Sequence, residues 1–482
     1  MAEYSVAHGE KSIGYLSLLP ELTAANLGLQ SQQVVLHWNL RDTAFKRLDD
    51  LLALVDENES KGLESMVSND AKTLFSLAHF MVYASIPQRT IAIGGQGPVA
   101  QRRAGKAERA VESWWRAVDE ERLWCGEESW QYTMSYWMCL YGWYAALALT
   151  TADEATPHFL AVPYDPSECY PQFSEFGLTR FVRNYSASAA EVFEKAKKYG
   201  TRLPGVSNEL QALQVYDWWY RHVGEGGQPE ILNALLVSGM GGYGGWLFVK
   251  EPELMQGLDR IPVLCGPVGG TPKRDAVGDW MKTPGSVLAD NETIYKDFDK
   301  WLSFLTRLAK QHAQAPFLAK SLHIEEQDVR PEDIRSGGAS VETNDPEASL
   351  ERVNVGPSPV DVSRLLSIIA LKEQRGGFPD SAYGSLLVPL SGFGLSQLLQ
   401  AAERRVGAQA RRLGVLDSSI SARWLADFRD ATLAPITIEG FEGGNPRKSF
   451  IEECKPSDIH KQFRVSTKVP IRMGNALLSR MS

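Results

Sequence analysis

Apolar residues recur at helical spacing over several long stretches of this chain. Val34 to Val55 and Asp70 to Ile86 follow that period, and in the second stretch Leu74, Leu77, Ala78 and Met81 share one face. Ser68, Asn69 and Asp70 supply caps for it, and Pro87 ends it. Residues 1–30 read as a weakly structured arm and residues 93–105 as a loop. Lys106 to Trp124 predicts an amphipathic helix, with Ala110, Trp114, Val118 and Leu123 at helical spacing. Trp130 to Ala148 predicts an aromatic-rich helix or a helix followed by a strand.

The period then shortens. Phe159 to Pro163 predicts a short strand, and Gly177 to Tyr185 alternates as a strand does. Ser186 is the expected cap of a helix running to Lys198. Leu213–Tyr220, Ile231–Val237 and Leu247–Val249 predict further strands, with a glycine-rich turn at 239–246. Residues 261–285 are rich in Pro and Gly and read as irregular.

A different organisation follows. A helix is expected from Asn291 or Thr293 to about His312, with Tyr295, Phe298, Leu302, Leu305 and Ala309 in one stripe. Residues 320–357 are polar, with strand-like pieces at 322–324 and 353–355. A second helix starts at Ser358-Pro359, with Pro at a favoured first turn, and stops at Gly376-Gly377. A third runs from about Leu395 to Leu413, and another helical segment covers 417–431. Residues 435–441 predict a strand, with Arg464 to Pro470 as its expected partner. Long helices flanking a small excursion make a shaft with a tip.

At 482 residues the chain exceeds one ordinary domain. Its net charge of −9 argues against a generic nucleic-acid coat, which is basic overall. It leaves a DNA conduit open, since each neutralised phosphate adds affinity and hence friction. The five cysteines, Cys125, Cys139, Cys169, Cys265 and Cys454, are scattered without a CxxC pair, which fits a reducing compartment. The first residues show no charged-then-apolar signal pattern, and no apolar run approaches the roughly 20 residues that span a bilayer.

Candidate chemistry is sparse. Gly239, Gly241 and Gly244 match a lone GxGxxG, but Trp246 to Val249 reads as a strand where a dinucleotide site needs a helix. The eight histidines stand singly, without metal-ligand spacing. Trp114-Trp115 and Trp218-Trp219 fit either sugar-stacking platforms or core packing. Basic residues sit on all three late helices: Lys300, Arg307 and Lys310, then Arg364, Lys372 and Arg375, then Arg404, Arg405, Arg411 and Arg412. They fit either a lumen facing phosphate or solvated faces pairing with Asp297, Asp299, Glu373 and Glu403. No cofactor is expected.

Six stretches together resemble the portal proteins of tailed bacteriophages, the head-to-tail connectors. VPYDPSECYPQFSEFGLTRFVRNYSASAAEVFEKAKKYG (162–200) resembles the portal wing, and ETIYKDFDKWLSFLTRLAKQHAQAPFLA (292–319) the first stem helix. GPSPVDVSRLLSIIALKEQRGGFPDSAYG (356–384) resembles the second stem helix entering the tunnel loop. SGFGLSQLLQAAERRVGAQARRLGVL (391–416) resembles the helix after that loop, and APITIEGFEG with KQFRVSTKVP the returning wing strands. Little chain follows to Ser482, a departure from portals that carry a C-terminal helical crown.

The resemblance implies an α+β, predominantly helical fold with portal architecture. Its parts are an arm (1–30), wing (31–288), first stem helix (289–319), clip (320–357), second stem helix (358–375), tunnel loop (376–392), long helix (393–432) and returning wing strands (433–482). It further implies a homo-oligomeric ring, commonly dodecameric, at one capsid vertex of the virion, assembled in the host cytoplasm. Double-stranded DNA would pass through it without sequence preference. Terminase, the major capsid protein and the head-completion and tail proteins would be its partners. Phe378, Tyr383, Phe393, Lys372, Arg375 and Lys310 become candidates for the channel, and Glu325, Glu326, Asp328 and Arg330 for terminase docking on the clip. No enzymatic activity is expected, since hydrolysis belongs to the motor. The competing class is a carbohydrate-active or lyase-like enzyme built on the Trp-rich N-terminal half, which requires a pocket of convergent carboxylates.

Overall fold

The computed structural model describes residues 22–56, 66–95, 97–153, 156–174, 177–204, 208–223, 228–239, 245–269, 285–313, 317–320, 349–352, 367, 369, 403–430, 434–441 and 449–471. Helices and sheets are both extensive, so the chain is α+β.

Helix α1 (Ala24–His37) begins inside the expected arm, where the Thr23 hydroxyl accepts the Asn26 N–H at 3.3 Å. Helix α2 (Asn39–Leu52) follows after Trp38 alone, so the continuous helix expected from Val34 to Val55 is interrupted. Trp38 and Arg41 beside the break are both buried, and the Trp38 ring meets Trp143 edge-on at 5.5 Å. Helix α3 (Asp70–Tyr83) is as expected. Strand β1 (Gln88–Ile93) is not, because only Ile91 is buried on it and no alternation betrays it. Helix α4 (Pro98–Trp124) starts at Pro98 rather than Lys106, so most of the expected loop at 93–105 is helical. Proline suits a first turn, where its missing N–H has no partner to lose.

After α5 (Trp130–Leu140) the chain turns at Gly142, whose φ is 63°, into β2 (Trp143–Asp153). A Cβ at Gly142 would lie 2.4 Å from the Gly285 backbone, so both the left-handed angle and the close approach require glycine. Strands β3 (Thr156–Pro163), β4 (Cys169–Ser174) and β5 (Gly177–Ser188) follow. Strand β5 runs to Ser188, which rather than Ser186 caps α6 (Ala189–Lys198) by accepting the Glu191 N–H at 3.3 Å. Then come β6 (Ala212–Val223), β7 (Pro229–Ser238), β8 (Trp246–Leu254) and β9 (Val263–Pro267), the last inside the stretch expected to be irregular.

Helix α7 (Glu292–Ala313) matches the expected first shaft helix. Strands β10 (Phe317–Lys320) and β11 (Ser349–Arg352) follow. Of the expected second helix and the loop after it, only residues 367 and 369 are described, both helical. Helix α8 (Gly407–Asp430) is continuous where two segments were expected. The chain ends in β12 (Ile436–Phe441), β13 (Ser449–Cys454) and β14 (Phe463–Lys468).

Strand pairing corrects one expectation. β12 pairs with β13, whereas β14 pairs with β1, some 370 positions earlier, in the register Gln88↔Lys468 to Ile93↔Phe463. The other sheets among the described residues are an antiparallel five-stranded meander, β4-β5-β6-β7-β8, a three-stranded sheet, β3-β2-β9, and the two-stranded β10-β11. The fold divides into two compact units. One comprises residues 1–47, 77–289 and 403–482, and the other residues 48–76 and 290–402.

In the first unit one face of the meander carries two apolar clusters. Val215, Val237 and Ala187 pack with Val192 of α6, and Phe181, Trp219 and Ile231 pack with Ala145 and Val263 of the three-stranded sheet. A second core joins α4, α5 and α8. The Trp115 ring lies 4.7 Å from both Trp130 and Trp424, and Trp114 stacks on Phe159 at 4.0 Å. Burial of such rings stabilises by area, with offset or tilted contacts adding about 0.5–1.5 kcal/mol per pair.

Candidate functional site

The second unit holds the shaft helix, and the site is built from α7 upward. Glu292 opens the helix in its first turn, where a negative charge suits the dipole. Of the expected stripe, Tyr295 is buried and Phe298, Leu302 and Leu305 are half-buried, while Ala309 lies outside the described side chains. A second apolar feature escaped the sequence. Trp301 and Phe304 are 36% and 39% exposed and meet edge-on at 5.8 Å, away from the buried stripe. Their i, i+3 spacing is the signal that was available.

Basic side chains follow a third line. Lys296, Lys300, Arg307 and Lys310 stand at i, i+4, i+11 and i+14, which keeps them within one edge of the helix over about 21 Å. Lys300, Arg307 and Lys310 are exposed and Lys296 is half-buried. The three expected candidates thus share an edge, and Lys296 joins them.

The start of the helix is anchored. Asp299 accepts the Ser68 N–H at 2.8 Å, just before α3, and Ser303 Oγ donates to the Met66 carbonyl at 3.3 Å. Burial pushes the Asp299 carboxyl above its ordinary range, an effect the Ser68 bond opposes and the nearby Asp70 and Asp56 reinforce. Asp50, Leu51, Leu54, Tyr295, Asp299 and Lys300 line a cleft of about 220 Å³ within this unit. Asp299 was expected only as a partner for neighbouring basic residues, because sequence cannot bring Ser68 to it.

Beyond its C-terminus α7 leads within a few residues into β10, which pairs antiparallel with β11 from Phe317↔Arg352 to Lys320↔Ser349. The chain therefore leaves at Lys320 and returns beside the same point at Ser349. The clip candidates Glu325, Glu326, Asp328 and Arg330 lie in that excursion, outside the described residues. Phe378, Tyr383, Phe393, Lys372 and Arg375 also lie outside them.

The tryptophan pairs named for the enzymatic alternative lie in the core. Trp114, Trp115, Trp218 and Trp219 are all buried, none more than 4% exposed, so neither pair offers a stacking platform. Trp115 Nε1 donates to Ser421 Oγ at 2.9 Å, a core contact. Strand β8, not a helix, follows the glycines at 239–244, and it pairs back onto β7, which removes the geometry a pyrophosphate needs. Burial pushes the thiols of Cys139, Cys265 and Cys454 up to about 12, which favours the protonated form. Among the described residues no group of three or more His, Cys, Asp or Glu is placed to hold a metal ion. None of their helices is long and apolar enough to cross a membrane.

No protein-family model matches the chain, and no curated protein matches it.

Proposed function

We propose that the chain is the portal subunit of a tailed bacteriophage, a predominantly helical ring-former at one capsid vertex. Copies of the chain would surround a channel through which double-stranded DNA enters during packaging and leaves at ejection. A single observation carries the proposal. The amphipathic helix α7 leads into β10, whose pairing with β11 closes an excursion from 321 to 348 at its base. That is the stem-and-clip order implied by the sequence resemblance, on the residues that carry it.

Two further features support it. The exposed Trp301–Phe304 pair gives α7 an apolar surface suited to a neighbouring copy, as a closed ring requires a heterologous interface on every subunit. The basic edge from Lys296 to Lys310 suits backbone-directed, sequence-independent contact with DNA. In this reading the clip docks terminase and later the head-completion and tail proteins. The segment 376–392, with Phe378 and Tyr383, narrows the channel.

Negative-stain electron microscopy with mass photometry of the purified chain tests it. Rings with a central channel, at a mass near twelve times 53.4 kDa, are the expected result. A protomer that stays monomeric at every concentration and in the presence of capsid protein would sink the proposal.

A further inference from the structure

A band of polar groups crosses the meander between its two apolar clusters. Arg183 on β5 pairs with Asp217 on β6, Asp217 with Leu235 on β7, and Leu235 with Lys250 on β8, so these residues share one face. Asn233 lies two residues from Leu235 on that face. A register shift in the β7–β8 ladder puts Lys250 there. Phe248 pairs with Leu236 and Lys250 with Leu235, leaving Val249 as the inserted residue. Without the bulge, Lys250 would fall on the opposite face.

The bulge brings an amine to an amide. Lys250 Nζ lies 3.0 Å from Asn233 Oδ1, and the two residues are only 8% and 7% exposed. Asn233 Nδ2 donates to Asp217 Oδ1 at 2.8 Å and to the Trp218 carbonyl at 3.3 Å. The remaining contacts of Lys250 Nζ are Glu253 Oε2 at 2.9 Å, Met255 Sδ at 3.7 Å and the Tyr199 ring, whose centre is 5.3 Å away. Trp219 and Ile231, on the same face, are buried. A buried lysine is a costly choice for packing alone, and its hydrogen bond to Oδ1 holds the amine beside the Asn233 carboxamide.

We propose that Lys250 and Asn233 condense into an intramolecular isopeptide bond that joins β7 to β8 covalently, with Asp217 and Glu253 as the proton-transfer groups. Glu253, at the solvent edge, takes one proton from the Lys250 ammonium. The freed lone pair of Nζ attacks Asn233 Cγ, forming the new C–N bond while Oδ1 takes up the carbonyl electrons. Asp217 delivers a proton to Nδ2, which leaves as ammonia when the carbonyl re-forms, and it regains a proton from Nζ. In sum, one alkylammonium and one carboxamide give one secondary amide and one ammonium ion, with no oxidant or cofactor. Asp217 is suited to the acid role because burial raises its carboxyl, despite the opposing bond from Asn233 and the charges of Arg183 and Lys250. Exclusion of water protects the product from hydrolysis.

The test is the intact mass of the wild-type full chain under denaturing conditions, followed by tryptic mapping. The expected result is the sequence mass less one ammonia, and a branched peptide joining the Lys250 and Asn233 segments. Chains with Lys250→Arg or Asp217→Ala should keep the full sequence mass. A wild-type chain at full sequence mass overturns the proposal, as does an ammonia loss that maps to a linear, ring-closed asparagine. A link that survives Asp217→Ala overturns the acid role of that residue. Because the mass is read on unfolded chains, a variant that folds poorly does not blur the wild-type result.

Discussion

Arg89 and Asp417 lie 328 positions apart and form a two-pronged ion pair. Arg89 Nη2 donates to Asp417 Oδ2 at 2.6 Å, and Nε sits 3.0 Å from both carboxylate oxygens. Thr467 Oγ1 donates to the same carboxylate at 2.6 Å, so Asp417 of α8 clamps both strands of the β1–β14 pair. The Arg89 guanidinium also lies 5.2 Å from the Trp115 ring, which ties the clamp to the tryptophan core.

Removing one member of that pair leaves the other charge poorly compensated, because Arg89 and Asp417 are only 15% and 2% exposed. Asp417→Ala should cost about 3–5 kcal/mol of unfolding free energy. Chemical denaturation would measure it, and a double-mutant cycle with Arg89→Met should show strong coupling. Additive losses would mean the pair does not act as a unit.

Gly142 joins α5 to β2 at a left-handed angle against the Gly285 backbone. Gly142→Ala adds backbone strain of about 1–2 kcal/mol and overpacking of about 1–3 kcal/mol. The expected outcome is a melting temperature lowered by several degrees. An unchanged melting curve would show that the 285 backbone can yield.

His79 is buried, with Nε2 3.1 Å from the Tyr132 carbonyl and its ring against Tyr83, Tyr132 and Tyr136. Burial lowers its affinity for protons below the ordinary 6.5, an effect the Tyr132 bond opposes. The unfolded chain therefore binds more protons at this site below pH 6.5, so the contribution is full above that pH and is lost as pH falls. Stability measured from neutral to mildly acidic pH should decline less steeply in His79→Gln than in wild type. Parallel curves would remove His79 as a source of acid sensitivity.

Trp301 and Phe304 carry the proposed contact between copies. Replacing both with Glu should abolish rings in mass photometry while leaving the far-ultraviolet circular dichroism of the protomer unchanged. Rings of normal mass from the double variant would place the interface elsewhere.

Phe378 and Tyr383 test the channel rather than the ring. Replacing both with Glu should leave assembly intact and stop DNA packaging. Packaging at wild-type yield would remove 376–392 from the channel.

Elements that announce themselves by local periodicity were legible. The α7 span, the strands at 177, 212 and 229, and the return to a strand at 436 follow from apolar spacing and from caps and breakers nearby. The candidate site was legible in part for the same reason. Basic residues at i, i+4, i+11 and i+14 and an i, i+3 pair of aromatics are local facts, but the anchoring of Asp299 by Ser68 across 231 positions is not.

Sequence by itself determined that the chain is α+β, that a long amphipathic helix precedes a polar excursion, and that tryptophans crowd the first half. Tertiary structure alone decided that β14 returns to β1, and that Trp114, Trp115, Trp218 and Trp219 are core rather than surface. It alone decided that a one-residue bulge carries Lys250 to Asn233. The physical reason is range. Periodicity and capping are set by neighbours within a few residues, whereas strand partners, buried ion pairs and bulge-directed contacts are selected by burial and charge between segments that only the folded chain brings together.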